Sequence, residues 1–195
     1  MRTMRKELIP LSRFVSYVLR HRPDEAGLSL EKGGWVSVNL LIDGINSHRK
    51  RKRASDYRSP DLLTRELLEE IVETNNKKRF EYNDSGSKIR ASQGHSINID
   101  LDLEEVEPPE TLYHGTASKV VGKIMKGGLC KMKRHHVHLS SDAETAKQVG
   151  LRHGFPVVLE IGAKEMSKSG YKFYKSANGV WLTDHVPAGF IWRKR

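Results

Sequence analysis

Four stretches of the 195-residue chain carry arginine or histidine where chemistry could be done: Arg20, His21 and Arg22 in "LRHRP", Lys88 to His95 in "KIRASQGH", His114 in "YHGT", and Arg134 to His138 in "RHHVH". Guanidinium groups match phosphate oxygens in two-point geometry and stay charged, and imidazole exchanges protons near neutral pH. A site built from three arginines and a histidine suits a phosphate group that carries charge throughout a reaction. The second cluster makes the point most sharply. From Lys88 onward "KIRASQGHSINID" offers no carboxylate until Asp100, in a chain with 24 Asp and Glu. Each cluster taken alone also has a plainer reading: Arg20 and His21 complement a helix dipole, His114 and His138 are satisfied structural histidines at strand ends, and Arg90 is a solvated charge on a loop.

Other chemistries lack their residues. There is no Gly-x-Gly-x-x-Gly, no Gly-x-x-x-x-Gly-Lys-Ser/Thr and no cysteine pair for zinc. His136 and His138 fall on one face of a strand, but His135 points the other way and no carboxylate or cysteine flanks them, so no metal is expected. The single Cys130 is read as a buried or neutral bystander.

Charge and hydropathy bound the partners. The formal net charge is +10, and residues 1–60 hold 13 Lys or Arg against 6 Asp or Glu, so most of the excess sits in the first third. Clustered cations of this kind point to a polyanion, most simply nucleic acid, although "HRKRKR" at residues 48–53 also reads as a solvated loop. No apolar run approaches the roughly 20 residues of a membrane helix, and the N-terminus lacks a secretory h-region. A cytoplasmic protein with no membrane partner is expected.

The elements that must position these residues read as follows. Leu11, Phe14, Val15, Val18 and Leu19 recur at helical spacing, with Ser12 and Arg13 on the wetter side, and Pro23 closes this helix at Arg22. A second helix is expected from about Ser37 to Ile45 with Ser37 as its cap. A third is expected to open with Ser59 as cap and Pro60 at the first position, with Leu63, Leu67, Leu68, Ile71 and Val72 inward. "RFEYNDSGSKIRAS" then reads as a hairpin, and helices followed by a small hairpin describe a winged-helix-like module. The acidic, proline-bearing "DLEEVEPPET" marks a linker at 102–111 between domains at 1–101 and 112–195. Beyond it come a strand at "TLYHG", a helix from about Ala117 to Lys126 stopped by Gly127 and Gly128, a strand at "HVHLS", and a helix opened by a Ser141–Glu144 capping box. A buried strand "FPVVLEI", an Asn-Gly turn in "YKFYKSANGVWLT" and a last strand "GFIW" complete an α+β chain.

Six segments in order, "LSRFVSYVLRHRP", "GGWVSVNLLI", "RFEYNDSGSKIRASQGHS", "LYHGT", "RHHVHLSSD" and "GVWLTDHVP", make the chain resemble the RNA 2′-phosphotransferase family, also called KptA, from about Leu11 to Ile191. The resemblance implies a winged-helix-like RNA lobe followed by an ADP-ribosyltransferase-like mixed α/β lobe. It implies removal of an internal RNA 2′-phosphate, as on a ligated tRNA, with NAD⁺ consumed as co-substrate. An ADP-ribosylated RNA 2′-phosphate then yields RNA with a 2′-hydroxyl, nicotinamide and ADP-ribose 1″,2″-cyclic phosphate. The family's catalytic Arg-His-Arg-Arg set falls on Arg20, His21, Arg90 and Arg134. Its NAD⁺ contacts fall on His114, Gly115 and Thr116 and on His138, Leu139 and Ser140, and RNA contacts on Gln93 and His95. A monomer is expected. The absence of a glutamate from "NGVWLTDHVP" agrees with the resemblance, because a phosphate monoester is already anionic and needs no general base. Two other readings compete: an ADP-ribosyltransferase that caps terminal phosphates of RNA or DNA, and a non-catalytic winged-helix binder of nucleic acid.

Overall fold

A computed structural model of the chain describes residues 3–53 and 62–194. The chain divides into two compact units, Met1–Asp102 and Leu103–Arg195, each with its own hydrophobic core.

In the first unit, helix α1 (Leu8–Arg20) buries Leu8, Leu11, Val15, Val18 and Leu19 along one stripe. It stops where expected: the His21 N–H still bonds the Tyr17 carbonyl, but Arg22 turns to φ −144°, ψ 64°, because a residue before proline is driven out of the helical region. Ser12, expected on the wetter side, is instead buried, and its Oγ accepts from Asn75 Nδ2 at 3.4 Å. Strand β1 (Val36–Ser37) runs directly into α2 (Val38–Arg53). This helix continues through "HRKRKR" rather than ending near Ile45, since Lys and Arg are good helix formers and nothing there breaks it. His48 Nδ1 meets the Glu25 carbonyl at 2.8 Å and Arg51 donates to the same oxygen at 3.3 Å, which ties the basic half of α2 to the turn at Pro23–Ala26.

Helix α3 (Arg65–Thr74) begins at a Thr64 cap whose hydroxyl accepts from the Leu67 N–H. Ser59 and Pro60 lie outside the described residues. Leu63 is buried as expected, but it precedes the helix and is held by reciprocal bonds with Asn46. Strands β2 (Phe80–Tyr82) and β3 (Lys88–Ala91) form the expected hairpin, and β1 pairs with the other edge of β3, giving the antiparallel order β1-β3-β2. The tip works because Asn83 Oδ1 accepts from the Lys88 N–H and Gly86 takes φ +67°, where glycine has no steric penalty.

The second unit is a mixed α/β body. Its elements are β4 (Thr111–Ala117), α4 (Ser118–Gly127), β5 (Leu129–Cys130), β6 (Val137–Leu139), α5 (Ala143–Leu151), β7 (Pro156–Gly162), α6 (Ala163–Lys168), β8 (Tyr174–Lys175), β9 (Trp181–Thr183), β10 (His185–Val186) and β11 (Ile191–Arg193). Two antiparallel sheets, β11-β7-β4 and β6-β9-β8, are joined by a reciprocal pair of 2.8 Å backbone bonds between Tyr113 and Ser140, and β10 pairs with β5. Strand β7 is not buried throughout. Val157, Leu159 and Ile161 face the core while the residues between them are half-exposed, as in a sheet covered on one face. The expected Ser141–Glu144 capping box does not form, because the Asp142 carboxylate, one residue closer, accepts from the Glu144 and Thr145 N–H groups.

Residues 103–110 are fastened to this second unit: Val106 N–H bonds the Phe173 carbonyl, Glu105 pairs with Lys172 at 3.0 Å, and Lys164 lies 3.5 Å from Glu110. Cys130 is exposed rather than buried. No helix among the described residues is long and apolar enough to cross a membrane.

Candidate active site

In the first unit the cationic residues gather on the segment that follows β3. The Arg20 carbonyl accepts from the Ser96 N–H at 3.0 Å, and His21 Nδ1 lies 2.8 Å from Ser96 Oγ, so the end of α1 is docked on that segment through two contacts with one serine. The Arg20 guanidinium lies over Gly94, where a Cβ would sit 3.8 Å from its Cζ, and the φ of +90° at Gly94 restricts the position to glycine in any case. Gln93 is half-buried beside it. His95 has no exposed surface, and its ring packs on Gly34, whose added Cβ would fall 3.3 Å from Nε2. The ring thereby also lies against the turn at Lys32–Gly34.

Arg90 stands on β3 and is held from three sides. Its Nε donates to Glu81 Oε1 at 2.8 Å, its Nη1 donates to the Gly33 carbonyl at 3.1 Å, and its guanidinium carbon lies 4.4 Å from the centre of the Trp35 ring. Stacking of this kind contributes about 1 kcal/mol and fixes the plane of the fork. Arg90 is thus neither solvated nor loose. Among the described residues Nη2 makes no hydrogen bond, which leaves that edge to a ligand.

The second unit brings the other predicted residues onto adjoining strands. His114 on β4 donates from Nδ1 to the His138 carbonyl on β6 at 3.1 Å. Burial pushes the His114 pKa below its usual value, with His153 nearby acting in the same direction and the carbonyl bond opposing. The ring is therefore neutral at pH 7, and its Nε2 is a hydrogen-bond acceptor. Arg134, on the exposed segment before β6, lies 3.4 Å through Nη1 from His138 Nδ1. A guanidinium only donates, so His138 accepts there and carries its proton on Nε2. The two neighbouring histidines are consequently opposite tautomers.

The remaining members are more deeply set. Gly115 has a packing reason of its own: a Cβ would lie 1.6 Å from the Ala146 carbonyl of α5, so only glycine lets that helix rest on β4. Thr116 and Leu139 are buried, and Ser140 Oγ accepts from the Asp142 N–H at the start of α5. Among the described residues no group of three or more His, Cys, Asp or Glu is placed to hold a metal ion.

Sequence reasoning overlooked the supports of Arg90. Glu81 is its direct cross-strand neighbour in the hairpin register, which follows once the turn at residues 83–87 is located. "GGW" supplies the carbonyl and the ring, but it was legible only as a turn.

Comparison with known proteins gives a consistent result. The sequence profile of the RNA 2′-phosphotransferase, Tpt1 / KptA family matches residues 6–185. A probable RNA 2′-phosphotransferase of Acaryochloris marina is 48% identical over 96% of this chain and 98% of its own length, and one of Flavobacterium johnsoniae is 50% identical over 93% of each. A third, from Escherichia coli O139:H28, is 45% identical over 95% of this chain and 96% of its own. On this full-length similarity, the chain belongs to the RNA 2′-phosphotransferase family.

Proposed function

We propose that the protein removes an internal 2′-phosphate from RNA in an NAD⁺-dependent transfer. The observation that carries this reading is the Arg90 fork, clamped by Glu81, Gly33 and Trp35 with Nη2 left to a ligand, in a chain of this family. The three helices and β1-β3-β2 sheet of the first unit are then a winged-helix-like RNA lobe, and the second unit is an ADP-ribosyltransferase-like lobe.

The residues suit both substrates. Arg20, Arg90 and Arg134 are the catalytic cations, each suited to gripping a phosphate and offsetting charge at phosphorus. His21, oriented through Nδ1 by Ser96, moves a proton at Nε2 toward the departing RNA 2′-oxygen. Gln93 and His95 belong to the segment that contacts the RNA. The neutral His114 accepts from a ribose hydroxyl of NAD⁺ at Nε2 and His138 donates at its own, while the backbone at Gly115, Thr116, Leu139 and Ser140 lines the dinucleotide. NAD⁺ supplies the electrophilic anomeric carbon with nicotinamide as its leaving group, and the phosphate ends on ADP-ribose as the 1″,2″-cyclic phosphate. No metal enters this scheme.

The test is a short RNA bearing one internal 2′-phosphate, incubated with and without NAD⁺, with RNA mass and nicotinamide release followed together. Loss of the phosphate only with NAD⁺ is the expected result. An ADP-ribosylated RNA that persists would replace this reading with a transferase that stops after one step, and no NAD⁺-dependent change would leave a nucleic-acid binder.

A further inference from the structure

Glu81 presents a paradox. It places a carboxylate 2.8 Å from the guanidinium that, on the reading above, must attract a phosphate. Electrostatics alone would favour its absence, because a neighbouring anion offsets the arginine's charge and repels an incoming one. What it provides is direction. Glu81 and Arg90 are directly opposed across the hairpin, their side chains are largely shielded from solvent (24% and 20% exposed), and Glu81 holds Nε while the Gly33 carbonyl holds Nη1. Trp35 closes one face of the guanidinium plane. The approach of Gly33 is as close as it can be: an added Cβ there would lie 2.9 Å from Trp35 Cδ1 and 3.3 Å from Arg90 Nη1, at a φ of +79°. With Nε, Nη1 and one face engaged, Nη2 is the nitrogen left to turn toward a ligand.

We infer that Glu81 is a positioning residue for the phosphotransfer reaction: it fixes the Arg90 fork so that the Nη2 edge addresses the RNA 2′-phosphate, and it does so against its own electrostatic effect on binding. The inference rests on the proposed role of Arg90. Its consequence is a separation of geometry from charge. Removing the carboxylate makes the region more attractive to RNA and yet slows turnover, because a misdirected fork no longer meets the phosphorus-bound oxygens where charge develops.

The experiment compares Glu81→Ala, Glu81→Gln, Arg90→Ala and Arg90→Lys, and the combination of Glu81→Ala with Arg90→Lys, under steady-state conditions on an RNA with one internal 2′-phosphate, with the thermal unfolding midpoint read alongside. Glu81→Ala is expected to lower kcat roughly 10- to 100-fold without raising the KM for RNA. Glu81→Gln, which keeps an acceptor for Nε while losing the charge, recovers most of that loss. In the Arg90→Lys background Glu81→Ala has little further effect, since the fork it directs is gone. Glu81→Val, whose branching suits a strand, repeats the test if alanine weakens the sheet.

Equal behaviour of Glu81→Ala and Glu81→Gln, both with lower KM and undiminished kcat, would show that charge alone matters and overturn the inference. Full activity of Glu81→Ala beside an impaired Arg90→Ala overturns the inference and spares the role of Arg90. Full activity of Arg90→Ala removes that role and the inference together.

Discussion

The two units arrange their candidate residues in opposite ways. The first holds the arginines Arg20 and Arg90 and the imidazole of His21, and constrains Arg90 with a carboxylate, a carbonyl and an indole ring and His21 with a serine. The second brings together imidazoles and settles their tautomers, His114 by a backbone carbonyl and His138 by Arg134. A permanent charge needs only to be aimed, because guanidinium keeps its protons at any relevant pH. A neutral ring must first be told which nitrogen donates, and only then does it distinguish a hydroxyl that gives a hydrogen bond from one that takes it.

This contrast can be broken by substitution. Arg90→Ala removes a directed cation and is expected to lower kcat for 2′-phosphate loss by roughly 100- to 1,000-fold, as when one donor to a developing oxyanion is deleted; RNA mass measured over time checks it, and near-normal turnover would end the claim that the first unit grips the reacting group. Gly115→Ala attacks the second unit through its packing. With a Cβ 1.6 Å from the Ala146 carbonyl, it should destabilise that unit by about 3 kcal/mol or more in denaturant unfolding, whereas Gly122→Ala on α4, where a Cβ meets nothing within 4 Å, should be neutral or slightly stabilising.

His114→Ala should raise the KM for NAD⁺ about 10-fold, the loss of one good hydrogen bond, and leave RNA binding as it was. A shift in RNA affinity instead would show that the two sites do not divide the substrates as stated. The pH response follows from the same ring. His114 has its pKa lowered by burial, so below about pH 6.5 the unfolded chain takes up a proton that the folded chain resists, and stability should fall with pH until the lowered folded-state value is passed; above 6.5 it contributes no slope. His136, also pushed down by burial, adds in the same sense. Thermal midpoints from pH 5 to 8 for the wild type and His114→Asn would show the difference. The smallest expected effect of a substitution is on the salt slope: RNA affinity should fall strongly with added salt, and Arg90→Ala should flatten that slope slightly, by about one phosphate's worth.

Local pattern carried much of this structure. The proline after α1, the Asn-Asp-Ser-Gly-Ser tip of the hairpin and the glycine stop of α4 all act on neighbours a few residues away, and each was readable from types and spacing. The misreadings share a cause, which is competition from residues distant in sequence or from a better-placed neighbour. Ser12 is buried beside Asn75, 63 positions away, the basic half of α2, itself rich in good helix formers, is met by the Glu25 carbonyl, and Asp142 displaces Ser141 as a cap by standing one residue nearer the helix. The candidate residues themselves were legible from chemistry and from the resemblance. The clamp on Arg90 was not, because a glutamate in "RFEY" and a glycine pair in "GGW" have no mutual signal until the hairpin register and the turn at Lys32–Gly34 bring them to one guanidinium.

The paired bonds between Tyr113 and Ser140 have a consequence for how the second unit breathes. They stitch two three-stranded sheets at a point next to His114 in one strand and two residues from His138 in the other. A fluctuation that parts the sheets there would expose both amides and pull the His138 carbonyl from His114 in the same event. The tautomer of His114 is thus coupled to a local opening equilibrium, and the exchange of the Tyr113 and Ser140 amides with deuterated water reports how often the pair of histidines is parted.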